Sequence, residues 1–266
     1  MKKYFAISDT HSFYDEVCTA LNNKGFDLKN PDHFVILCGD AFDRGDQADD
    51  MLYFLKSMHS LGRLIYVRGN HEDLLSDCVR GIKIGRIGYH HWTNKTIDTI
   101  AQFMDLSEYD ILHGIYDSTS FSETMSNVLD FIDSVCVDYF ELGKTVFVHG
   151  WLPTTIYTDG IEIVHENWRD GSWKDARWPN GMQMHYLGIT PKDIDTVVCG
   201  HWHTSFAWHH YEDACPEWGD LAIFDPYIKK NNQTEVTIVA LDGCVPQSRK
   251  VNCVVFDDKG VIIDAG

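Results

Sequence analysis

Gly39-Asp40-Ala41-Phe42-Asp43-Arg44-Gly45 is the stretch on which the fold turns. Phe34-Val35-Ile36-Leu37-Cys38 leads into it, apolar and β-branched, and reads as a buried strand. Asp46-Gln47-Ala48-Asp49-Asp50 leaves it for Met51-Leu52-Tyr53-Phe54-Leu55, an acidic first turn followed by a helix. Two carboxylates and an arginine therefore sit on a loop where a strand ends. Open α/β proteins place their ligands at such positions. Two acids beside one cation suggest a metal and an anionic substrate in one site. The plainer alternative is a Gly-rich turn with a surface Asp–Arg pair.

The same unit recurs on both sides. Tyr4-Phe5-Ala6-Ile7 is a short buried strand that ends at Ser8-Asp9-Thr10-His11, and a helix with an apolar stripe follows over 13–23, stopped by Gly25. Leu64-Ile65-Tyr66-Val67 is a third strand, running into Arg68-Gly69-Asn70-His71-Glu72. Leu74, Leu75, Cys78 and Val79 then recur at helical spacing. Strand, polar loop and helix three times over argue for an α/β architecture with ligands gathered along one edge.

From 81 to 141 the periodicity is helical, which predicts an insertion or cap over the site within a single domain spanning 1–266. Its neighbours His90 and His91 are weak metal candidates, because adjacent residues do not share a helix face, and a surface or core role is expected for them. Thr145-Val146-Phe147-Val148 ends at His149-Gly150-Trp151, and Thr196-Val197-Val198-Cys199 ends at Gly200-His201-Trp202-His203. Between them lies a segment rich in Trp, Arg and Asp, containing Arg169 and Arg177. Trp208, His209 and His210 open a polar, acidic loop. The apolar runs 236–241 and 251–256 read as a β-hairpin or meander, with Asp257-Asp258-Lys259-Gly260 as the turn before a last strand.

Composition narrows the partners. The 266 residues are 44% hydrophobic, enough for a sizeable core, and the formal charge is −18. That charge disfavours non-specific nucleic-acid binding, which needs a basic face. A small anionic substrate is still compatible, because bound divalent cations reverse the local field. None of the eight cysteines forms a CxxC pair, and Cys38, Cys199 and Cys253 lie in apolar runs. No apolar run reaches the length of a membrane span and the N-terminal one is too short for a signal peptide. A cytoplasmic, reducing location is expected.

Five strand ends thus carry metal-type ligands: Asp9 with His11, Asp40, Asn70 with His71, His149, and His201 with His203. Imidazole mixed with carboxylate and amide oxygen suits two divalent transition ions, Mn, Fe or Zn, better than an all-oxygen Mg or Ca site. A carboxylate between two cations can bridge them. Two such ions can hold a bridging water and lower its pKa, which suits in-line attack on phosphorus.

In this order, Asp-x-His, Gly-Asp-x-x-Asp-Arg-Gly, Gly-Asn-His-Glu, His-Gly and Gly-His-x-His, the chain resembles the calcineurin-like metallophosphoesterase superfamily. The second and third motifs look like the phosphoprotein phosphatase branch, including its bacterial and phage members. The resemblance implies a four-layer α-β-β-α sandwich. It implies that Asp9 and His11 bind one metal, that Asp40 bridges, and that Asn70, His149 and His201 complete the second. His203 would join the first metal site. Asp43 would orient His71, His71 would protonate the leaving oxygen, and Arg44 would hold phosphate, with Arg177 as a second phosphate ligand. Ser8 and Ser12 flank the first motif where phosphoprotein phosphatases usually have glycine, and Gly-His-x-His is more like general phosphodiesterases. Both departures bear on the substrate.

The implied activity is two-metal hydrolysis of phosphate monoesters, resembling Ser/Thr protein phosphatases, through hydroxide held between the metals. A phosphorylated protein or small phosphorylated molecule would be the substrate. The alternative is hydrolysis of diadenosine tetraphosphate or another diester or anhydride, with Trp151, Trp202 or Trp208 available to stack a base. A metal-bound interaction module without catalysis would have no need of His71, Asp43 and Arg44 together. An open groove beside the 81–141 insertion would fit a protein substrate, and a closed pocket a nucleotide.

Overall fold

The computed structural model describes residues 1–156, 160, 162–209 and 222–265, without the side chains of 208 and 209. The ring of Trp208, and with it His210 and Cys215, lie outside the described residues. The strands are β1 (Lys3–Ile7), β2 (His33–Cys38), β3 (Leu64–Val67), β4 (Cys136–Val137), β5 (Phe140–Leu142), β6 (Thr145–Phe147) and β7 (Thr154–Ile156). They continue as β8 (Glu162–Val164), β9 (Thr196–Cys199), β10 (Tyr227–Lys230), β11 (Thr237–Ala240), β12 (Val254–Phe256) and β13 (Ile262–Asp264). One sheet has the order β13-β12-β1-β2-β3-β4, the other β10-β11-β9-β6-β5, and β7 and β8 form a side hairpin.

Alternation along the strands explains why two sheets stack. In β1, Phe5 and Ile7 face one way into a core shared with helices, while Tyr4 and Ala6 face the second sheet. β2 divides the same way, Val35 and Leu37 outward, Ile36 and Cys38 inward. In the second sheet Val146, Val197, Ile238 and Ala240 pack outward with Trp151, Trp168 and Met182. Phe147, Val198, Val239 and Leu241 point back at the first sheet. Both faces of both sheets are therefore covered, which gives the α-β-β-α layering and explains the near-continuous apolar runs. Phe147 and Phe256 close the middle layer edge to face, 5.1 Å between centroids, and Phe147→Ala would cost about 3–5 kcal/mol.

Helices α1 (Tyr14–Asn23), α2 (Ala48–Ser60) and α3 (Asn70–Lys83) follow β1, β2 and β3 and cover the first sheet. α1 buries Val17, Ala20 and Leu21, and α2 buries Met51, Leu55 and Met58, each set spaced to share one face. The helical segment consists of α4 (His90–Thr93), α5 (Thr96–Met104), α6 (Glu108–Leu112) and α7 (Ser118–Val135). It ends at Val135: Cys136–Val137 pairs with β3, and Phe140–Leu142 pairs with β6 in the other sheet. Ile97, Ile100, Phe121, Met125, Val128 and Ile132 share the core of α1, α2 and α3, so the segment is part of the sandwich.

The expected terminal hairpin is corrected. β11 pairs with β9 and β10 in the second sheet, whereas β12 pairs with β1 in the first. Each run is buried on both faces, as an inner strand of a sheet is, and the chain crosses between sheets from Leu241 to Val251. The hairpin is β12–β13, where Asp257 Oδ1 accepts from the backbone N–H of Lys259 and Val261. The seven described cysteines are all free, and no described helix is long and apolar enough to cross a membrane.

Candidate metal centre

β1, β2 and β3 run parallel in one sheet, and β6, β9 and β11 run parallel in the other. Just past their C-terminal ends come Asp9, Asp40, Asn70, His149, His201 and Asp242. Backbone bonds tie the loops together: Asp9 N–H to Gly39 O at 3.1 Å, His11 N–H to Asp40 O at 3.1 Å, Gly200 N–H to His149 O at 2.8 Å. Asp9, His11, Ser12, Asp40, Asp43, Arg44 and His201 all have positive φ. Each such residue costs about 1–2 kcal/mol, a strain that collects at functional sites. Gly39, also at positive φ, has no room for a Cβ, which would strike His149 Nδ1 and the backbone of Gly69.

Asp40 belongs to two clusters. His11, Asp40 and His71 form one and Asp40, His149 and His201 the other, with donor atoms in each lying within 4.8 Å of one another. His11 Nδ1 donates to Phe42 O at 2.9 Å and His149 Nδ1 to Cys38 O at 2.8 Å. These bonds fix the tautomer and turn Nε2 inward, as for imidazoles that bind metals. Nε2 of His149 lies 2.8 Å from Asn70 Oδ1 and 3.3 Å from Asp40 Oδ1. The backbone N–H of His201 donates to Asp9 Oδ2 at 2.9 Å, which joins the two sheets.

Charge balance shows what the clusters fit. Burial, with Arg44 nearby, holds His11 well below the ordinary imidazole range, and burial beside His149 takes His201 down to about 3. Both present neutral lone pairs. Burial disfavours the charged form of His149, but Asp40 and Asp9 outweigh it and raise its pKa to about 10. Burial likewise opposes charge on Asp40, and His149 and His71 outweigh it and keep Asp40 ionised. Asp9 is pushed well above the carboxylate range, by burial first and then by the charge of Asp242. Buried carboxylates that repel each other beside neutral imidazoles form a donor set for divalent cations.

At the outer side of the first cluster, His71 Nδ1 is 2.7 Å from Asp43 Oδ2, and Nε2 is 3.4 Å from a terminal nitrogen of Arg44. Burial lowers the pKa of His71, yet Asp40 and Asp43 outweigh it and leave the pKa above its ordinary value. Asp43 is itself held from α5, where Thr96 and Thr99 donate to its two oxygens at 2.9 and 3.0 Å. Glu72 ties the loops after β2 and β3. Its buried carboxylate accepts from the backbone of Gly69, Asp40 and Ala41 and from the Tyr66 hydroxyl, at 2.7–3.0 Å.

Arg177 takes a different position from Arg44. Its guanidinium is held by Asp73 at 2.5 Å and Asp138 at 2.7 Å, so its charge is already matched. His203 Nε2 faces Asp242 Oδ2 at 3.9 Å, and Asp242 Oδ1 accepts from Cys244 N–H at 2.8 Å. Sequence reasoning passed over Asp242, Thr96, Thr99 and the role of Glu72. Asp242 follows an apolar strand, the same signal that marked the other five ends. Trp151 is fully buried and donates to Ile189 O, so it is core. Trp178 and Trp202 are partly exposed and stand edge-on to His201, at 5.9 and 6.3 Å between centroids. His90 and His91 do come together, centroids 4.0 Å apart, because α4 is a single turn; His91 is buried against Asp77 and His90 is exposed.

Two stacked sheets with imidazole–carboxylate clusters on their common edge are the architecture of a metallophosphoesterase. Residues 2–205 match the model of the calcineurin-like phosphoesterases, and the chain belongs to that family. It is 30% identical over 129 residues to the bis(5'-nucleosyl)-tetraphosphatase PrpE [asymmetrical] of Bacillus subtilis (strain 168), covering 41% of this chain and 53% of the relative. The corresponding protein of Bacillus velezensis is 30% identical over 84 residues, 29% of this chain and 34% of the relative. The match thus spans about half, or a third, of those curated relatives. Among solved structures, a cold-active protein-tyrosine phosphatase of a psychrophilic Shewanella superposes with a TM-score of 0.52 and 13% identity, over 100% of this chain and 81% of that one. That likeness concerns the fold.

Proposed function

We propose that the protein is a two-metal phosphatase in which His71 acts as the general acid. The observation that carries this reading is the line Asp43–His71–Arg44 beside Asp40. Nδ1 of His71 is anchored on Asp43 at 2.7 Å, which leaves Nε2 facing Arg44 at 3.4 Å and Asp40 Oδ2 at 3.8 Å. In this reading Asp9, His11 and Asp40 hold the first ion, joined by His203, whose Nε2 lies 3.9 Å from Asp242 Oδ2. Asp40, Asn70, His149 and His201 hold the second. Mn, Fe or Zn suits this donor set. The ions, when bound, supply hydroxide near neutral pH and neutralise phosphoryl charge.

The chain's own residues do the rest. Arg44 grips phosphate oxygens through charge-assisted hydrogen bonds. Asp43, locked by Thr96 and Thr99, keeps the His71 ring in place and favours its protonated form. His71 then gives its Nε2 proton to the leaving oxygen. In this reading Arg177 serves to brace Asp73 and Asp138.

For the substrate, the reading is hydrolysis of phosphate monoesters, supported by the likeness of Gly-Asp-x-x-Asp-Arg-Gly and Gly-Asn-His-Glu to the motifs of phosphoprotein phosphatases. A second reading, hydrolysis of dinucleoside polyphosphates, is supported by the similarity to proteins named bis(5'-nucleosyl)-tetraphosphatase. The test is a hydrolysis panel in Mn2+ comparing a phosphopeptide, an aryl phosphate, a bis-aryl phosphate and diadenosine tetraphosphate. Turnover of the aryl phosphate that disappears with a chelator and in His71→Ala supports the reading. A panel with no turnover in any metal tried would refute it.

A further inference from the structure

The two histidines at the start of the helical segment meet the last turns of α3. Gly85, at positive φ, ends that helix, and the chain doubles back so that Arg86 N–H donates to Gly81 O at 2.8 Å. A Cβ on Gly81 would come within 2.6 Å of Arg86 O, so the return depends on glycine there. Asp77 lies one turn before Gly81, on the same face of α3. The return brings α4 to that face, and His91 Nε2 stands 3.4 Å from Asp77 Oδ2. The His90 and His91 rings stay close, 4.0 Å between centroids with their planes at 49°. The His90 ring lies over Gly88, where a Cβ would come 2.5 Å from Cε1 and 2.8 Å from Nδ1.

Asp77, His90 and His91 thus offer one donor atom each, all within 4.8 Å of one another. None of them belongs to the centre described above. A plain surface ion pair between Asp77 and a protonated histidine would use the same residues, but the state of His91 argues against it. Only 1% of His91 is exposed, and its Nδ1 has no hydrogen-bond partner among the described residues. Its Nε2 reaches Asp77 at more than an ordinary hydrogen-bond length. Burial, and then the neighbouring His90, lower its pKa, so the ring is neutral. The other buried histidines among the described residues are His11, His33, His71, His149 and His185, and each has a ring nitrogen within 2.9 Å of a partner. A buried imidazole with no bond of ordinary length is costly and rare in a folded interior.

We propose that Asp77, His90 and His91 bind a further divalent transition ion, Zn2+ by its donor preference, which fastens α4 to α3. Two imidazoles and a carboxylate are a zinc donor set and leave a fourth position to water. Arg80 Nη1 stands 3.7 Å from Asp77 Oδ1 with both side chains exposed, a pairing weak enough for an ion to displace. α5 begins at Thr96, close behind the end of α4 at Thr93, so the ion also steadies the near end of the helix that holds Asp43. The site shares no residue with the candidate centre and does not depend on the phosphatase reading.

Zn2+ binding to the full chain tests this, followed by calorimetry and by the imidazole proton resonances. The resonances of His90 and His91 are expected to shift together and to saturate at one ion. His90→Ala and Asp77→Ala each remove an exposed ligand, so the fold tolerates the changes. Each variant is expected to bind one ion fewer than the parent at a Zn2+ concentration that just saturates the parent. Affinity for that ion should fall by at least about 100-fold, the upper end of what losing a ligand's hydrogen-bond partner costs. The parent ion count and affinity in both variants would overturn the inference. So would His90 resonances that move with Zn2+ while those of His91 stay in place, the mark of a lone surface imidazole.

Discussion

Asp43 and Thr99 hold each other by two hydrogen bonds. The backbone N–H of Asp43 donates to Thr99 Oγ1 at 3.1 Å, and the Thr99 hydroxyl donates to Asp43 Oδ1 at 3.0 Å. Thr96, one turn earlier on α5, donates to the other carboxylate oxygen. The pair joins the motif after β2 to the helical segment, and through Asp43 it sets the His71 ring. Thr99→Val is therefore expected to lower kcat about tenfold with little change in KM, because the groups it strands are buried beside the acid. Metal content should stay at the parent level. A variant with parent kcat at low and high pH would remove α5 from the catalytic apparatus.

His71→Ala is expected to cut turnover by about 10²–10⁴, the usual worth of a general acid, with metal content nearly intact. His71 also clusters with His11 and Asp40, so metal analysis is the deciding measurement. Loss of an ion together with activity would make His71 a ligand. The deficit should be smaller for substrates whose leaving group is a good one, such as 4-nitrophenol, than for an alkyl phosphate.

Asp40→Asn is expected to weaken binding of both ions, because Asp40 is the one residue common to both clusters. Its Oδ1 also accepts from the backbone N–H of His71 at 2.9 Å, a bond that asparagine can keep. The loss should thus be of metal rather than of fold. Elemental analysis after dialysis and a thermal melt separate the two. Two ions per chain at the parent rate would end the bridging assignment.

Asp242→Asn tests the sixth strand end. Removing the carboxylate that faces His203 is expected to lower affinity for one ion of the pair by about 10–100-fold, the usual effect of losing a partner to a metal-binding imidazole. Competition with a chelator would measure it, and the imidazole resonances of His203 should shift as well. Unchanged affinity at both sites would leave Asp242 as a buried acid held by Cys244.

Much of the centre could be read in advance because of how the chain is cut. Each parallel strand is short, apolar and followed at once by its functional side chain, so Asp9, Asp40, Asn70, His149 and His201 announce themselves locally. What pairing partner a strand takes is not local. The runs ending in Leu241 and Phe256 carry the same alternation whether they form one hairpin or enter two sheets, and only the far sides of their cores tell. Thr96 and Thr99 were hidden for a similar reason. Two hydroxyls on a helix are ordinary until the carboxylate 53 and 56 residues away is placed against them. The contacts of Arg177 with Asp73 and Asp138 were hidden too, because position along the chain says nothing of which acids reach it.

The shared core of α5, α7 and the first three helices has a consequence for timing. Elements that bury their side chains in one close-packed interior move together or not at all on the scale of turnover. The wall that these described helices form beside the candidate site is then present before substrate arrives and adds no closing step of its own. In the proposed phosphatase, turnover is expected to be limited by bond breaking or by the departure of phosphate from Arg44. Viscosity should leave kcat/KM for a slow alkyl ester untouched, and inorganic phosphate should act as a competitive brake.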